Sequence, residues 1–458
     1  MNIKKEISTA LKWLFATLLV MWLLTIFYFW RNGMSPDLSI QLLPKLTTGF
    51  ATSSLNFWIY LCLPYLIFLW LRYLILSFRR QNSTTFLKRL LLTSLVPLAV
   101  ITGAYQIYKF ADQEIDWKKA LATRDFQVFN HFAKDGKFRG VHFVPARQPA
   151  TEHFLPLVKN NIEWIALHTF AWQRTPTSDS LKTPPVNDAG WSKKDSSVLE
   201  TANFAQKHGI RTFLQPQILI ENNPKDTLLF VHFDHDSLWQ KWSKDYRQFI
   251  LQQAKIARQT NIELFSIGTT LPQLTRSHPD FFVQLIDSVR TIYNGKIIYT
   301  ADWQTEFDDL TFWKQLDYIG IQAGFSLSDE KNPDVKNLRT AWQPYFENIK
   351  TLQKEVNLPV IFTKIGYKST EEAAANPLQK TGGFGQMFQE ISIETQRNCY
   401  LAFFETFWQE PWFAGAFFFD WRANYERAGG ETGNGFSPQN KEAEKILEDW
   451  FSKAYGMQ

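Results

Sequence analysis

The segment "NLPVIFTKIGY" (Asn357–Tyr367) opens on a turn former, runs through unbroken apolar residues and meets a lysine where the run should end. An apolar run that does not alternate with polar residues belongs to a strand covered on both faces, the usual condition in a parallel sheet. Lys364 then falls at the strand's C-terminal end, where parallel α/β proteins keep their chemistry. Seven further runs share this character: "FRGVHFVP" from Phe138, "IEWIALHTF" from Ile162, "RTFLQPQIL" from Arg211, "LFSIGTT" from Leu264, "KIIYTAD" from Lys296, "YIGIQAG" from Tyr318 and "AGAFFFDW" from Ala414. Between them lie stretches with helical character, such as Ser237–Gln259, Asp280–Tyr293 and Asn337–Lys354. Strands alternating with helices predict an α/β fold. Eight such units predict a (β/α)8 TIM barrel, with a doubly wound open sheet as the alternative.

Upstream of the barrel the composition changes. "WLFATLLVMWLLTIFYFW" (Trp13–Trp30), "LNFWIYLCLPYLIFLWL" (Leu55–Leu71, continuing past Arg72 to about position 76) and "LLLTSLVPLAVITGAYQIY" (Leu90–Tyr108) are three long apolar runs. Each approaches the ~20 residues that a transmembrane helix needs. The first ends in aromatics and lacks a small-residue cleavage site, so it reads as an anchor rather than a signal peptide. Lys4, Lys5 and Lys12 precede it, and Arg79, Arg80, Lys88 and Arg89 lie between the second and third runs. The positive-inside rule places these in the cytoplasm and everything after Tyr108 outside. The predicted organisation is a membrane region over 1–110, a charged connector over 111–137 and an extracytoplasmic barrel over 138–458.

Net charge is +5 over 458 residues with no basic run, which excludes a nucleic-acid partner. The two cysteines, Cys62 and Cys399, lie in unrelated contexts and make no metal set. No phosphate loop, metal-spaced His/Cys group or nucleophile elbow is present, so no cofactor is expected. The chain is rich in aromatics, with 18 Trp and 40 Phe. At the predicted strand ends stand His142, His168 with Trp172, Gln217, Thr269 with Thr270, Asp302 with Trp303, Gln322, Lys364, and Asp420 with Trp421. Indole faces can cover the apolar faces of sugars while amides and acids hold hydroxyls, so this set points to a glycan cleft.

The stretches "FSIGTTL" (Phe265–Leu271), "YTADW" (Tyr299–Trp303), "FWKQLDYIGIQAGF" (Phe312–Phe325), "LPVIFTKIGY" (Leu358–Tyr367), "AFFFDW" (Ala416–Trp421) and "GFSPQNKEAEKIL" (Gly435–Leu447) together resemble glycoside hydrolase family 113. This β-mannanase-like family belongs to the clan of retaining (β/α)8 glycosidases. The resemblance implies an acid/base glutamate at position 270 and a nucleophilic glutamate at 364. Here these are Thr270 and Lys364. It also implies a tyrosine where Gly324 stands and a histidine where Gln217 stands. Retaining hydrolysis needs two carboxyls ~5–5.5 Å apart, and an ammonium opposes the positive charge that develops in the transition state.

The expectation is a membrane-anchored, glycosidase-like protein without hydrolytic activity, binding a glycan or docking a protein. Its expected partners are the lipid bilayer, a glycan and other membrane proteins. One alternative is an active hydrolase with relocated carboxylates (Asp302, Glu306, Glu405 or Asp420). Another is a structural subunit of a membrane complex. The expected ligand-binding set is Trp172, Gln217, Asp302, Trp303, Gln322, Lys364, Asp420 and Trp421. Lys364 is expected on the cleft floor, ringed by the three tryptophans and paired with Asp302 or Asp420. The glycine-rich segment Ala428–Phe436 reads as a flexible rim.

Overall fold

Eight parallel strands close on themselves in chain order, β1 pairing with both β2 and β8. They are β1 (Phe138–Val144), β2 (Trp164–Gln173), β3 (Arg211–Ile220), β4 (Leu264–Thr269), β5 (Lys296–Asp302), β6 (Ile319–Ala323), β7 (Val360–Ile365) and β8 (Phe413–Arg422). Closure excludes the open doubly wound sheet. The computed structural model describes residues 130–146, 148–183, 195–221, 231–378 and 389–455, with positions 12, 16, 18–20, 22, 23 and 70. The chain divides into two units, Met1–Arg124 and Asp125–Gln458. In the first, the described positions are helical, and Leu19, Val20 and Leu23 are exposed. Among the described residues no helix is long and apolar enough to cross a membrane. Apart from those few positions, the three predicted spans lie outside the described residues, as does the connector up to position 129.

In the second unit the helices are α1 (Phe132–Asp135), α2 (Leu155–Lys159), α3 (Asp195–Lys207), α4 (Asp236–Gln259), α5 (Pro272–Ser277), α6 (Pro279–Arg290), α7 (Val335–Val356), α8 (Ile393–Phe407) and α9 (Glu442–Phe451). Their ends follow local chemistry. The Asp334 side chain accepts the Asn337 N–H to start α7, and Asn357, in the left-handed region, stops it just before the β7 run. Ser392 caps α8 in the same way.

Two apolar cores result. One fills the barrel's lower interior with Phe138, Trp164, Phe213, Leu264, Ile298, Ile361 and Phe417. The larger one lies between sheet and helices. Below β1 the barrel is sealed by a buried ion pair, Arg139 to Asp135 at 2.6 Å. Arg139 also donates to the carbonyls of Phe451 and Lys453, while Asp135 accepts the Tyr455 N–H. A buried pair so fully bonded survives its desolvation, whereas removing one member would leave an uncompensated charge.

Candidate functional site

Above the apolar filling, the barrel interior turns polar. Gln215 on β3 donates to Thr300 Oγ1 on β5 at 3.1 Å. His142 on β1 bonds through Nε2 to the Thr363 carbonyl at 2.8 Å and through Nδ1 to His168 Nε2 at 3.1 Å. A carbonyl only accepts, so His142 Nε2 carries the proton. Burial lowers the His142 pKa well below its ordinary value, and the charges of His168 and Lys364 act in the same direction. The ring is therefore neutral, and its Nδ1 accepts from His168.

From this floor a run of rings climbs β2. His142 stacks on His168 at 5.0 Å, His168 lies 6.3 Å from Phe170, and Phe170 lies 6.1 Å from Trp172. Alternation along the strand puts His168, Phe170 and Trp172 on one face. Trp172 is held at the rim by a two-way backbone bridge to Lys182. Phe170 is missing from the sequence-derived set, although the spacing of "HTFAW" contains it.

A second run crosses from β1 to β8. His142 meets Phe419 edge to face at 5.7 Å, and Phe419 meets Phe436 at 5.2 Å. Lys364 Nζ rests 4.1 Å above the Phe419 ring, and Lys368 Nζ rests 5.4 Å from Phe436. Such contacts fix an ammonium in place without cancelling its charge. Neither phenylalanine, nor Lys368, was anticipated.

The segment carrying Phe436 is not a flexible rim. Ser369 Oγ donates to the Gly433 carbonyl at 2.6 Å, and its N–H donates to the Gly435 carbonyl at 3.2 Å. Gln396 Nε2 donates to the Phe436 and Tyr367 carbonyls, and Lys441 Nζ donates to Ser369 Oγ at 2.7 Å. Gly429, in the left-handed region, packs on the Gln439 carbonyl so closely that a Cβ would collide with it. Glycine there fixes the path rather than loosening it. Burial pushes the Lys441 ammonium down to about 8, with Asp420 opposing that shift and Arg422 adding to it.

Each candidate acid has bonding partners of its own. Asp420 Oδ2 pairs with Arg422 at 3.3 Å. Asp302 Oδ1 accepts from the Gln304 and Thr305 N–H groups and from the Thr305 hydroxyl, capping the turn after β5. Its Oδ2 is buried without a hydrogen-bond partner among the described residues. Burial raises the Asp302 pKa against those hydrogen bonds. Both acids named as counter-ions for Lys364 thus have bonds of their own, to donors two or three residues further along the chain. Glu306 is 1% exposed, accepting from Tyr299 at 2.6 Å, Thr275 at 2.7 Å and the Asp302 N–H at 3.2 Å. Burial pushes it up to about 7 despite these donors. Glu405, on an outer helix, pairs with Arg339. Glu263 precedes β4 and accepts from Thr212, at the opposite end of the barrel from Lys364.

Thr270 and Lys364 follow or end β4 and β7 on the same face of the barrel. Thr270 is buried in the left-handed region at φ 48°, an unfavourable conformation for a β-branched residue, and its N–H donates to the Thr300 carbonyl. Asp302, Gln322 and Lys364 are register neighbours on β5, β6 and β7. Gln217 is half-buried at the end of β3. Trp303 leans over the end of β6, where a Cβ on Gly324 would stand 2.9 Å from its Nε1. The indole fills space that a side chain at 324 would need.

Trp421 is corrected. It is 0% exposed, in the core between sheet and helices, and pairs in register with outward-facing Phe143. Between Val141 and Phe143 on β1, β8 spends an extra residue, and this bulge carries Trp421 to the outward face, whereas Phe419 keeps the inward side of Phe417. It cannot flank Lys364.

A closed parallel barrel with polar and aromatic strand ends over an apolar plug defines a (β/α)8 protein with its candidate site at the strand ends. The family profile described as Glycoside Hydrolase Family 113 matches residues 127–441. The chain belongs to glycoside hydrolase family 113. Solved structures with the same fold include a GH113 β-1,4-mannanase in a complex, 21% identical, covering 69% of this chain and 99% of its own, with a TM-score of 0.58. A GH113 β-mannanase from Alicyclobacillus acidocaldarius, in complex with ManMIm, is 19% identical, covers 69% and 97%, and has a TM-score of 0.57. No curated protein matches the chain.

Proposed function

We propose that the protein is a membrane-anchored, non-hydrolytic member of its family whose barrel mouth binds a glycan outside the cytoplasm. The observation that carries this is Lys364, seated on Phe419 at the end of β7 with Thr270 at the end of β4. An ammonium cannot attack an anomeric carbon, and a threonine hydroxyl is too weak an acid to protonate a leaving group at neutral pH. The ring run His168–Phe170–Trp172 supports sugar contact, and the three apolar runs before position 110 support the anchor. Because the solved relatives are β-mannanases, mannose-containing chains are the first ligands to test.

One observation favours the relocated-carboxylate alternative: Glu306 is poised at about 7, as a general acid should be, beside Asp302. Its burial and its bonds to Tyr299 and Thr275 oppose that role. The test is incubation of the purified full-length chain with mannan, mannooligosaccharides and aryl β-glycosides. No product above background is expected. Turnover that disappears in Asp302→Asn, Glu306→Gln or Asp420→Asn would replace this proposal with an active enzyme.

A further inference from the structure

The exposed cations of the barrel are unevenly placed, and we infer that its lower face, below β1–β5, docks on a bilayer surface of anionic phospholipid headgroups. This rests on the proposed membrane anchor. In a parallel barrel each outer helix runs back from the mouth, so helix C-termini and strand starts share one end. Backbone bonds tie that end together: the Glu163 N–H donates to the Arg139 carbonyl, Arg211 to Glu163, Lys296 to Glu263 and Asp317 to Ile297. Lys134, Lys159, Lys207 and Arg258 stand there in the last turns of α1, α2, α3 and α4, and all four are exposed. Arg290, at the end of α6, and Lys296, at the start of β5, continue the arc.

Helix dipoles alone do not account for this. A dipole favours a cation at every C-terminus. Yet α8 and α9, before and after β8, end without one, and Lys354 on α7 has Glu355 beside it in the chain. The acids along the arc are fewer and mostly engaged. Glu163 accepts from the His131 and Phe132 N–H groups, Glu263 accepts from Thr212, and Asp317 is bridged by Arg290 and Lys296. Asp287 on α6 stands exposed. Between the ends of α4 and α6 the face is hollowed by a recess of about 610 Å³, bordered by Arg258, Asn261, Asn294 and Lys296, which gives headgroups room among the cations.

The chain also enters the domain on this face. Asn130 Oδ1 accepts from Arg211 Nη2 at 3.0 Å. Positions 109–129, between it and the third apolar run, can extend by no more than about 75 Å. A domain so tethered meets the surface at high effective concentration. Each cation within a Debye length of an anionic bilayer, ~10 Å at 0.1 M salt, then multiplies the docked population about fivefold. Docking by this face leaves the mouth, at the opposite end, open to its ligand.

The test compares the two ends of α4, where exposed Gln240 and Gln259 lie roughly 28 Å apart. The full-length chain, with photoreactive benzoylphenylalanine replacing one or the other, is placed in nanodiscs of phosphatidylglycerol or of phosphatidylcholine. In phosphatidylglycerol, lipid adducts from position 259 should exceed those from 240 at least about fivefold. They should fall several-fold in phosphatidylcholine and at about 0.5 M salt, comparisons that need no charge variant to fold. Combining Lys134→Gln, Lys159→Gln, Lys207→Gln and Arg258→Gln should lower them at least about fivefold. Equal adducts from both positions, or adducts from 259 indifferent to lipid charge and salt, overturn the docking and leave the anchor standing. Adducts from 259 to a second copy of the chain in place of lipid overturn it too. Failure of the chain to enter nanodiscs overturns the anchor and this inference with it.

Discussion

Gly324 and Trp303 illustrate how a single absent side chain shapes this mouth. A Cβ at 324 would meet Trp303 Nε1 at 2.9 Å and Cδ1 at 3.2 Å, closer than packed atoms tolerate. The indole is itself pinned against Phe325 at 4.9 Å and Tyr345 at 5.9 Å, so it cannot simply step aside. Gly324→Ala should therefore cost about 1–3 kcal/mol by overpacking. In a Trp303→Ala background the same change should cost less than about 1 kcal/mol, and denaturant unfolding of the four proteins measures the difference. Equal costs in both backgrounds would show that the indole is not the obstacle. The pair also bears on exchanging Thr270 and Lys364 for glutamates: little or no mannanase activity is expected of that double variant. The tyrosine that the family resemblance implies at 324 has no room while Trp303 stands where it does.

At the scale of elements, the β4–α5 and β5 ends are joined through one buried carboxyl. Glu306 accepts from Tyr299 and Thr275, and the Tyr299 hydroxyl in turn accepts the Leu271 N–H. Its folded-state pKa is raised to about 7 from an ordinary value of 4.5. Between those values the folded state holds a proton that the unfolded chain has released, so stability must fall as pH rises across this window. The expected contribution is a slope of at most about 1.4 kcal/mol per pH unit. Glu163, Glu263 and Asp302 are also shifted upward and add to the total slope. The wild-type minus Glu306→Gln difference, from chemical denaturation between pH 4.5 and 7.5, isolates the one group. A flat difference would mean that Glu306 is ionised in the folded protein throughout. These elements were legible in the sequence to differing degrees. The strands announced themselves because eight apolar runs end on polar punctuation, and all eight formed. Trp421 was misplaced because a bulge in β8 reverses its side, and a bulge leaves no mark in an apolar run such as "AFFFDW". The segment Ala428–Phe436 was misread because glycine permits both mobility and tight packing, and only the Ser369, Gln396 and Lys441 bonds, from distant parts of the chain, decide between them.

For the whole molecule, the charge distribution around the apolar runs leads to a test of topology. Protease added outside intact cells or spheroplasts should remove the domain after Tyr108, while the segment Arg79–Arg89 stays protected. Cleavage of the domain only after permeabilisation would reverse the orientation. The barrel's identity was readable from strand order, since eight units of one pattern have few ways to close. The seat of Lys364 was only half readable: the lysine stands out in "FTKIGY", but the Phe419 ring beneath it depends on β8 lying next to β7. The seal beneath the barrel has a consequence for how the protein is made. Arg139 bonds the Phe451 carbonyl 312 residues later, and Asp135 bonds the Tyr455 N–H 320 residues later. β1 likewise waits for β8, the last of the eight barrel strands in chain order. Until β8 is made the sheet keeps a bare edge at β1, and the Asp135–Arg139 pair lacks its distant partners Phe451, Lys453 and Tyr455, a state prone to wrong partnerships. The contacts that close the barrel thus join residues at opposite ends of its sequence, and contacts of such separation are the slow ones to form.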